Sequence, residues 1–110
     1  MVTYEETGIF LKTIGEETRL KIVCYLARDS FCVCEIVQLL GMSQPSVSQH
    51  LRKLKAAKII TEEKRGRWTF HSLNTDHPQY SLLLQLLDTL PSVMTEIESL
   101  TRNGRRILCD

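Results

Sequence analysis

Residues 33–59 read VCEIVQLLGMSQPSVSQHLRKLKAAKI, and two helical stretches meet inside them. Ile36, Leu39 and Leu40 fall on one face of a short helix, and Gly41 is placed to end it. Ser43 can cap the helix that follows, and Pro45 is tolerated in that helix's first turn. Val47, Leu51 and Leu54 then repeat at i, i+4 and i+7 and bury one face. The other faces are polar, carrying Gln44, Ser46, Ser48, Gln49, Arg52 and Lys53. A bracing helix, a glycine turn and a second helix bearing short polar side chains and cations meet the requirement for entering a DNA major groove. Glutamine suits adenine there, arginine suits guanine, and helix N-terminal amides favour phosphate.

After residue 57 the period changes. KIITEEKRGRWTFHSL, residues 58–73, places β-branched and aromatic residues on both sides of KRGR, which predicts a hairpin with Gly66 at its turn. Lys64, Arg65 and Arg67 lie at its tip, where they could reach a phosphate backbone or a minor groove. Trp68 and Phe70 fit hairpin packing. Residues 44–67 hold seven cations and two acids, a local charge of +5, although the whole chain is only +1; the remainder is therefore −4. A basic segment against an acidic remainder predicts one face for a polyanion. The candidate DNA contacts are thus Ser43, Gln44, Ser46, Ser48, Gln49, Arg52 and Lys53 on the helix, with Lys64, Arg65 and Arg67 on the hairpin.

Upstream, one helix is expected over residues 4–13, broken by Gly15, and a second from about residue 16. Leu20, Val23, Cys24 and Ala27 form the inner face of that second helix, and Cys24 reads as core. Downstream, Leu83, Leu87, Leu90, Met94 and Ile97 are spaced 4, 3, 4 and 3, a seam that runs straight across Pro91. One kinked helix over about residues 78–102 is expected, with a second copy of the chain as its partner. The expected fold is mainly α with a β-hairpin, a single winged helix-turn-helix domain over 1–110. Its helix-turn-helix covers about 32–57, its wing about 59–73, and its C-terminal dimerisation helix about 78–102.

No apolar run approaches the roughly 20 residues of a membrane span, and the first ten residues carry acids and no basic region, so a cytoplasmic protein is expected. Four cysteines in such a chain suggest core residues, metal ligands or redox switches rather than structural disulfides. Cys32 and Cys34, one residue apart at the start of the brace helix, are the notable pair. Their thiolates would be soft ligands, favoured by a helix N-terminus and opposed by Glu35. On a regular helix they would point about 200° apart, so a shared ion would unwind that end. His50 reads as bonded within the fold, and His71 and His77 have no ligand spacing with each other.

EETRLKIVCYL (16–26), FCVCEIVQLLGMSQPSVSQHLRKLKAAKII (31–60) and KRGRWTFHSL (64–73) together resemble the ArsR family of bacterial metal-sensing repressors, over about residues 13–73. CVC with a following acid, then SQPSVSQHL, is similar to the arsenic-responsive branch. The resemblance implies a homodimer on a palindromic operator of double-stranded DNA, released when As(III) or Sb(III) binds as inducer. It also implies a third cysteine three residues after Cys34, where this chain has Val37. Asp88 is followed by Thr89 and Leu90, without the histidine that the family's zinc site on the last helix requires, so no zinc site is expected. Cys32 and Cys34 are the expected metal ligands, and Cys109 is a candidate third.

Two other readings stay open at this level. One keeps the DNA-binding dimer but makes the thiols a redox sensor, through oxidation of Cys32 with Cys34 or with Cys109. The other is a protein-interaction module that no longer reads DNA. An enzyme is not expected: no catalytic triad pattern, phosphate-cradling glycine loop or catalytic zinc spacing occurs.

Overall fold

The computed structural model describes residues 1–100. Helix α1 (Tyr4–Ile14) starts where the Thr3 hydroxyl accepts from the Glu6 amide at 3.0 Å, with Glu5 and Glu6 at the positive end of its dipole. Helix α2 (Glu17–Leu26) is capped by Glu16, whose carboxylate accepts from the Arg19 amide at 2.9 Å. Then follow strand β1 (Phe31–Cys32), helix α3 (Val33–Leu40), helix α4 (Gln44–Ala56), strands β2 (Ile60–Arg65) and β3 (Trp68–Leu73), and helices α5 (Tyr80–Leu87) and α6 (Met94–Leu100).

The helix-turn-helix forms as the sequence predicts. Gly41 takes φ +66° and its amide donates to the Val37 carbonyl at 2.8 Å, a left-handed cap that turns the chain toward α4. A Cβ there would meet no atom within 4 Å, so the requirement for glycine lies in the backbone alone. Gly41→Ala should therefore cost about 1–2 kcal/mol, read as a lower midpoint in a denaturant titration with an unchanged slope. The Ser43 hydroxyl caps α4 through the Ser46 amide, and Val47, Leu51 and Leu54 are buried as expected. In the hairpin, β2 and β3 pair antiparallel from Ile60↔Leu73 to Arg65↔Trp68, and Gly66 turns them with φ +65°.

Two features depart from the sequence reading. First, β1 is a third strand: it pairs antiparallel with β3 (Phe31↔His71, Cys32↔Phe70), giving a sheet of order β1-β3-β2. A two-residue strand has no period of its own, and the sheet pairing overrides any helical tendency of residues 31 and 32. Second, the C-terminal segment is two helices, not one kinked helix over 78–102. α5 ends at Leu87, α6 begins at Met94, and Pro91 lies in the non-helical link. Proline lacks the amide and disfavours helical backbone at the residue before it, which outweighs the continuity of the apolar seam. The last two residues of that expected helix lie outside the described residues.

The break redirects the seam. Leu83, Val93 and Leu100 bury themselves in this chain's own core, while Met94 is exposed. The core joins Phe10 and Ile14 of α1, Ile22, Val23 and Tyr25 of α2, Ile36 of α3 and Val47, Leu51 and Leu54 of α4 with these C-terminal residues. Tyr25 is fully buried and its hydroxyl donates to Glu96 at 2.5 Å, and Lys21 pairs with the same carboxylate at 3.2 Å, tying α6 to α2. Large apolar side chains left exposed include Ile9 and Leu11 on α1 and Leu82 and Leu86 on α5.

Candidate nucleic-acid interface and cysteine pair

Helix α4 carries its polar groups in stripes set by the 3.6-residue period. With Val47, Leu51 and Leu54 inward, Gln44, Gln49, Arg52 and Lys53 are exposed, and none makes a side-chain hydrogen bond or ion pair among the described residues. Ser43 and Ser46 differ: their hydroxyls lie 3.0 Å apart in the cap, so these two shape the helix start as well as facing solvent. Ser48 is half-buried on the side that faces the hairpin. His50 keeps a partner within the fold, its Nδ1 lying 3.2 Å from Arg19 Nη1 and 3.6 Å from Glu16 Oε1. Arg19 Nε donates to the Thr13 carbonyl at 2.6 Å, so α4 is locked to the α1–α2 junction.

At the hairpin tip Lys64 is exposed and makes no ion pair among the described residues. The Arg65 guanidinium stacks 4.5 Å from the Phe70 ring centroid and pairs with Glu63, and that of Arg67 lies 4.8 Å from the Trp68 ring. The aromatics therefore hold the wing's cations in place as well as packing the hairpin.

Lys55 Nζ meets Glu62 Oε1 at 2.8 Å and links α4 to β2. The pair is largely solvent-exposed and contributes roughly 0–1 kcal/mol. Behind it lies His71, only 7% exposed, facing Phe31 across one side of β3 and Glu62 across the other. Burial pushes the His71 imidazole below its usual range; Glu62 opposes that shift and Lys55 adds to it. The folded chain thus binds a proton at His71 less readily than the unfolded chain does. The resulting stability is complete above the unfolded value of about 6.5 and is lost as pH falls from there toward the folded value. The thermal midpoint should therefore decline below about pH 6.5, and His71→Gln should flatten that decline; an unchanged slope in the variant would contradict this assignment.

The cysteine pair does not sit within the first turn of a regular helix as the sequence suggested. Cys32 is the N-cap of α3 and belongs to β1, with extended backbone (φ −83°, ψ 166°) and only 2% exposure. The 200° argument for a regular helix does not apply to a cap residue. Burial raises the Cys32 thiol above its usual range, and the Glu35 charge adds to that, although the backbone amides of Glu35 and Cys34 pull the other way. The helix end therefore does not produce a ready thiolate, because desolvation is the larger effect. Glu35 is itself fully buried, its Oε1 accepting from the Cys32 amide at 3.0 Å. Cys34 is half-buried and disulfide-bonded, whereas Cys32 and Cys24 are free thiols. Cys24 is half-buried against the core. Cys109 lies outside the described residues. Among the described residues no group of three or more His, Cys, Asp or Glu side chains is gathered in metal-binding geometry. Among them, too, no helix is long and apolar enough to cross a membrane.

Comparison with known proteins agrees with this architecture. Residues 16–62 match the family described as bacterial regulatory protein, arsR family. The arsenic resistance transcriptional regulator ArsR1 of Pseudomonas putida is 34% identical over 73 residues; the match takes in 66% of this chain but only 57% of that protein's length. An HTH-type transcriptional regulator of Methanocaldococcus jannaschii, MJ1325, is 37% identical over 91 residues, which span 82% of this chain and all of that one. Among solved structures, the transcriptional repressor BigR from Xylella fastidiosa superposes with a TM-score of 0.71 at 30% identity, over 78% of this chain and 84% of that one.

Proposed function

The chain belongs to the ArsR family of DNA-binding transcriptional regulators, and from that premise we propose that it is a homodimeric repressor whose cysteine site releases it from a palindromic operator. The inducer in this reading is arsenite or antimonite, engaging Cys32 and Cys34 in their reduced forms. Membership sets aside the enzyme and the module that no longer reads DNA. The dimer rests on the exposed apolar residues of α1 and α5, Ile9, Leu11, Leu82 and Leu86, in place of the 78–102 seam.

The observation that carries the inducer site is the position of Cys32. It caps the brace helix that packs on α4 and pairs with Phe70 of the wing strand, so one residue links the brace to the wing. A soft ion drawing Cys32 toward Cys34 would strip β1 from β3 and uncap α3, which packs on α4. The relative from Pseudomonas putida, an arsenic resistance regulator by name, supports a metalloid. In this reading Gln44, Ser46, Ser48, Gln49, Arg52 and Lys53 enter the groove, Ser43 shapes its approach, and Lys64, Arg65 and Arg67 hold the flanking backbone.

A second reading is favoured by the disulfide at Cys34. A peroxide would oxidise one thiol to a sulfenic acid with loss of water, and a second thiol would displace a further water to form the disulfide. Thiol oxidation would then replace metalloid binding as the release signal. One experiment separates the two. Bind the reduced protein to a fluorescent duplex from its own promoter, and to a scrambled duplex, then add arsenite, antimonite or peroxide. Preferential binding to the promoter with release by the metalloids supports the leading reading, and release by peroxide alone supports the second. Equal binding to both duplexes would overturn the repressor assignment.

A further inference from the structure

A cleft of about 400 Å³ opens between α4 and the hairpin. Its helix wall carries Ser48, Arg52 and Lys55, and its sheet wall carries Glu62, Thr69 and His71. Two cations face one carboxylate, so the cleft is net positive and repels a metal ion. The hydroxyls of Ser48 and Thr69 have no hydrogen-bond partner among the described residues.

His71 supplies an independent observation. Its Nδ1 is a buried side-chain nitrogen with no hydrogen-bond partner among the described residues. A neutral imidazole has one N–H and one lone pair. A buried N–H without an acceptor costs more than a buried lone pair without a donor, so the proton belongs on Nε2. The ring is over 90% buried and lines the cleft.

We propose that this cleft seats one backbone phosphate of the bound duplex, held by Ser48, Arg52 and Lys55 from α4 and by Thr69 and the His71 Nε2–H from β3. The proposal rests on the DNA-binding reading and adds Lys55, Thr69 and His71 to it. Lys55 leaves its solvent-exposed pairing with Glu62 to meet the phosphate, because a fully ionised phosphodiester in a cleft is the stronger acceptor. A phosphate held between the reading helix and the wing fixes the spacing of the two elements on the duplex, so this contact sets register rather than sequence.

The test is a methylphosphonate scan. Single backbone linkages of the promoter duplex are neutralised in turn, and affinity is measured by anisotropy for the wild type, His71→Gln, Ser48→Ala and Thr69→Val. One linkage in each half-site should weaken wild-type binding about tenfold, and the same linkage should have a much smaller effect in the variants. Should His71→Gln fail to fold, Ser48→Ala and Thr69→Val carry the comparison. Nitrogen-15 shifts should show His71 as the Nε2–H tautomer. Equal losses in wild type and variants at every linkage, or an Nδ1–H tautomer, would overturn the seat while leaving DNA binding intact. A His71 shift with inorganic phosphate alone as large as with duplex would make the cleft a free-anion site and overturn it as well. A wild type that binds no duplex would overturn both this inference and the reading beneath it.

Discussion

Leu54→Ala is expected to lower the free energy of unfolding by about 2–5 kcal/mol. Leu54 is fully buried on α4, and its carbonyl accepts from the Ile59 amide at 3.0 Å where the helix hands over to β2. Truncation removes buried methyl groups and leaves a cavity beneath α4, on which α1, α2, α3 and β2 all pack. Against a total of about 5–15 kcal/mol for a domain, the loss is a large fraction. A urea titration should show a lower midpoint with an unchanged slope. The contrast with Gln49→Ala separates scaffold from surface: that exposed residue should change stability by less than about 0.5 kcal/mol while weakening duplex binding. A Leu54→Ala loss no larger than the Gln49→Ala loss would mean that α4 is not anchored as described.

The second large effect concerns response rather than affinity. Cys32→Ser and Cys34→Ser should each bind the promoter duplex nearly as the reduced wild type does, and should resist release by arsenite. The hydroxyl is a hard ligand and does not replace thiolate for a soft ion. The wild-type response should fall within about 5–150-fold, the usual range for coupling between two sites. Cys24→Ser is the control, because Cys24 lies on α2, packs beside the core and belongs to neither β1 nor α3. Normal release of the double variant Cys32→Ser/Cys34→Ser would remove the metalloid assignment. Under reducing conditions Cys32→Ser should also destabilise the fold slightly, since Cys32 is buried, whereas half-buried Cys34 should matter less.

The helix-turn-helix was legible because its signals agree. Apolar spacing, Ser43 as cap, Pro45 in the first turn and Gly41 at the stop all specify the same boundaries. The hairpin was legible for the same reason, with Gly66 between two β-rich runs. The C-terminal segment misleads because two signals conflict: a regular leucine seam argues for one helix and Pro91 for two, and the proline prevails. Strand β1 leaves no trace in a two-residue window, so the burial of Cys32 and its pairing with the wing were invisible. The cleft between α4 and the hairpin was equally hidden. Lys55, Thr69 and His71 come together only when the hairpin folds back on α4, and a histidine among alternating strand residues reads as packing. Alternation could at most have shown that His71 shares the inward face of β3 with Leu73.

The sharpest test of the link between Cys32 and the DNA-facing elements uses reciprocity. Whatever arsenite does to operator affinity, the operator must do to arsenite affinity by the same factor. Arsenite binding should be titrated under reducing conditions to the protein alone and to the protein saturated with its promoter duplex. If capping of α3 and pairing with the wing couple the two sites, the duplex-bound protein binds arsenite about 5–150-fold more weakly; identical affinities in the two states would contradict the account.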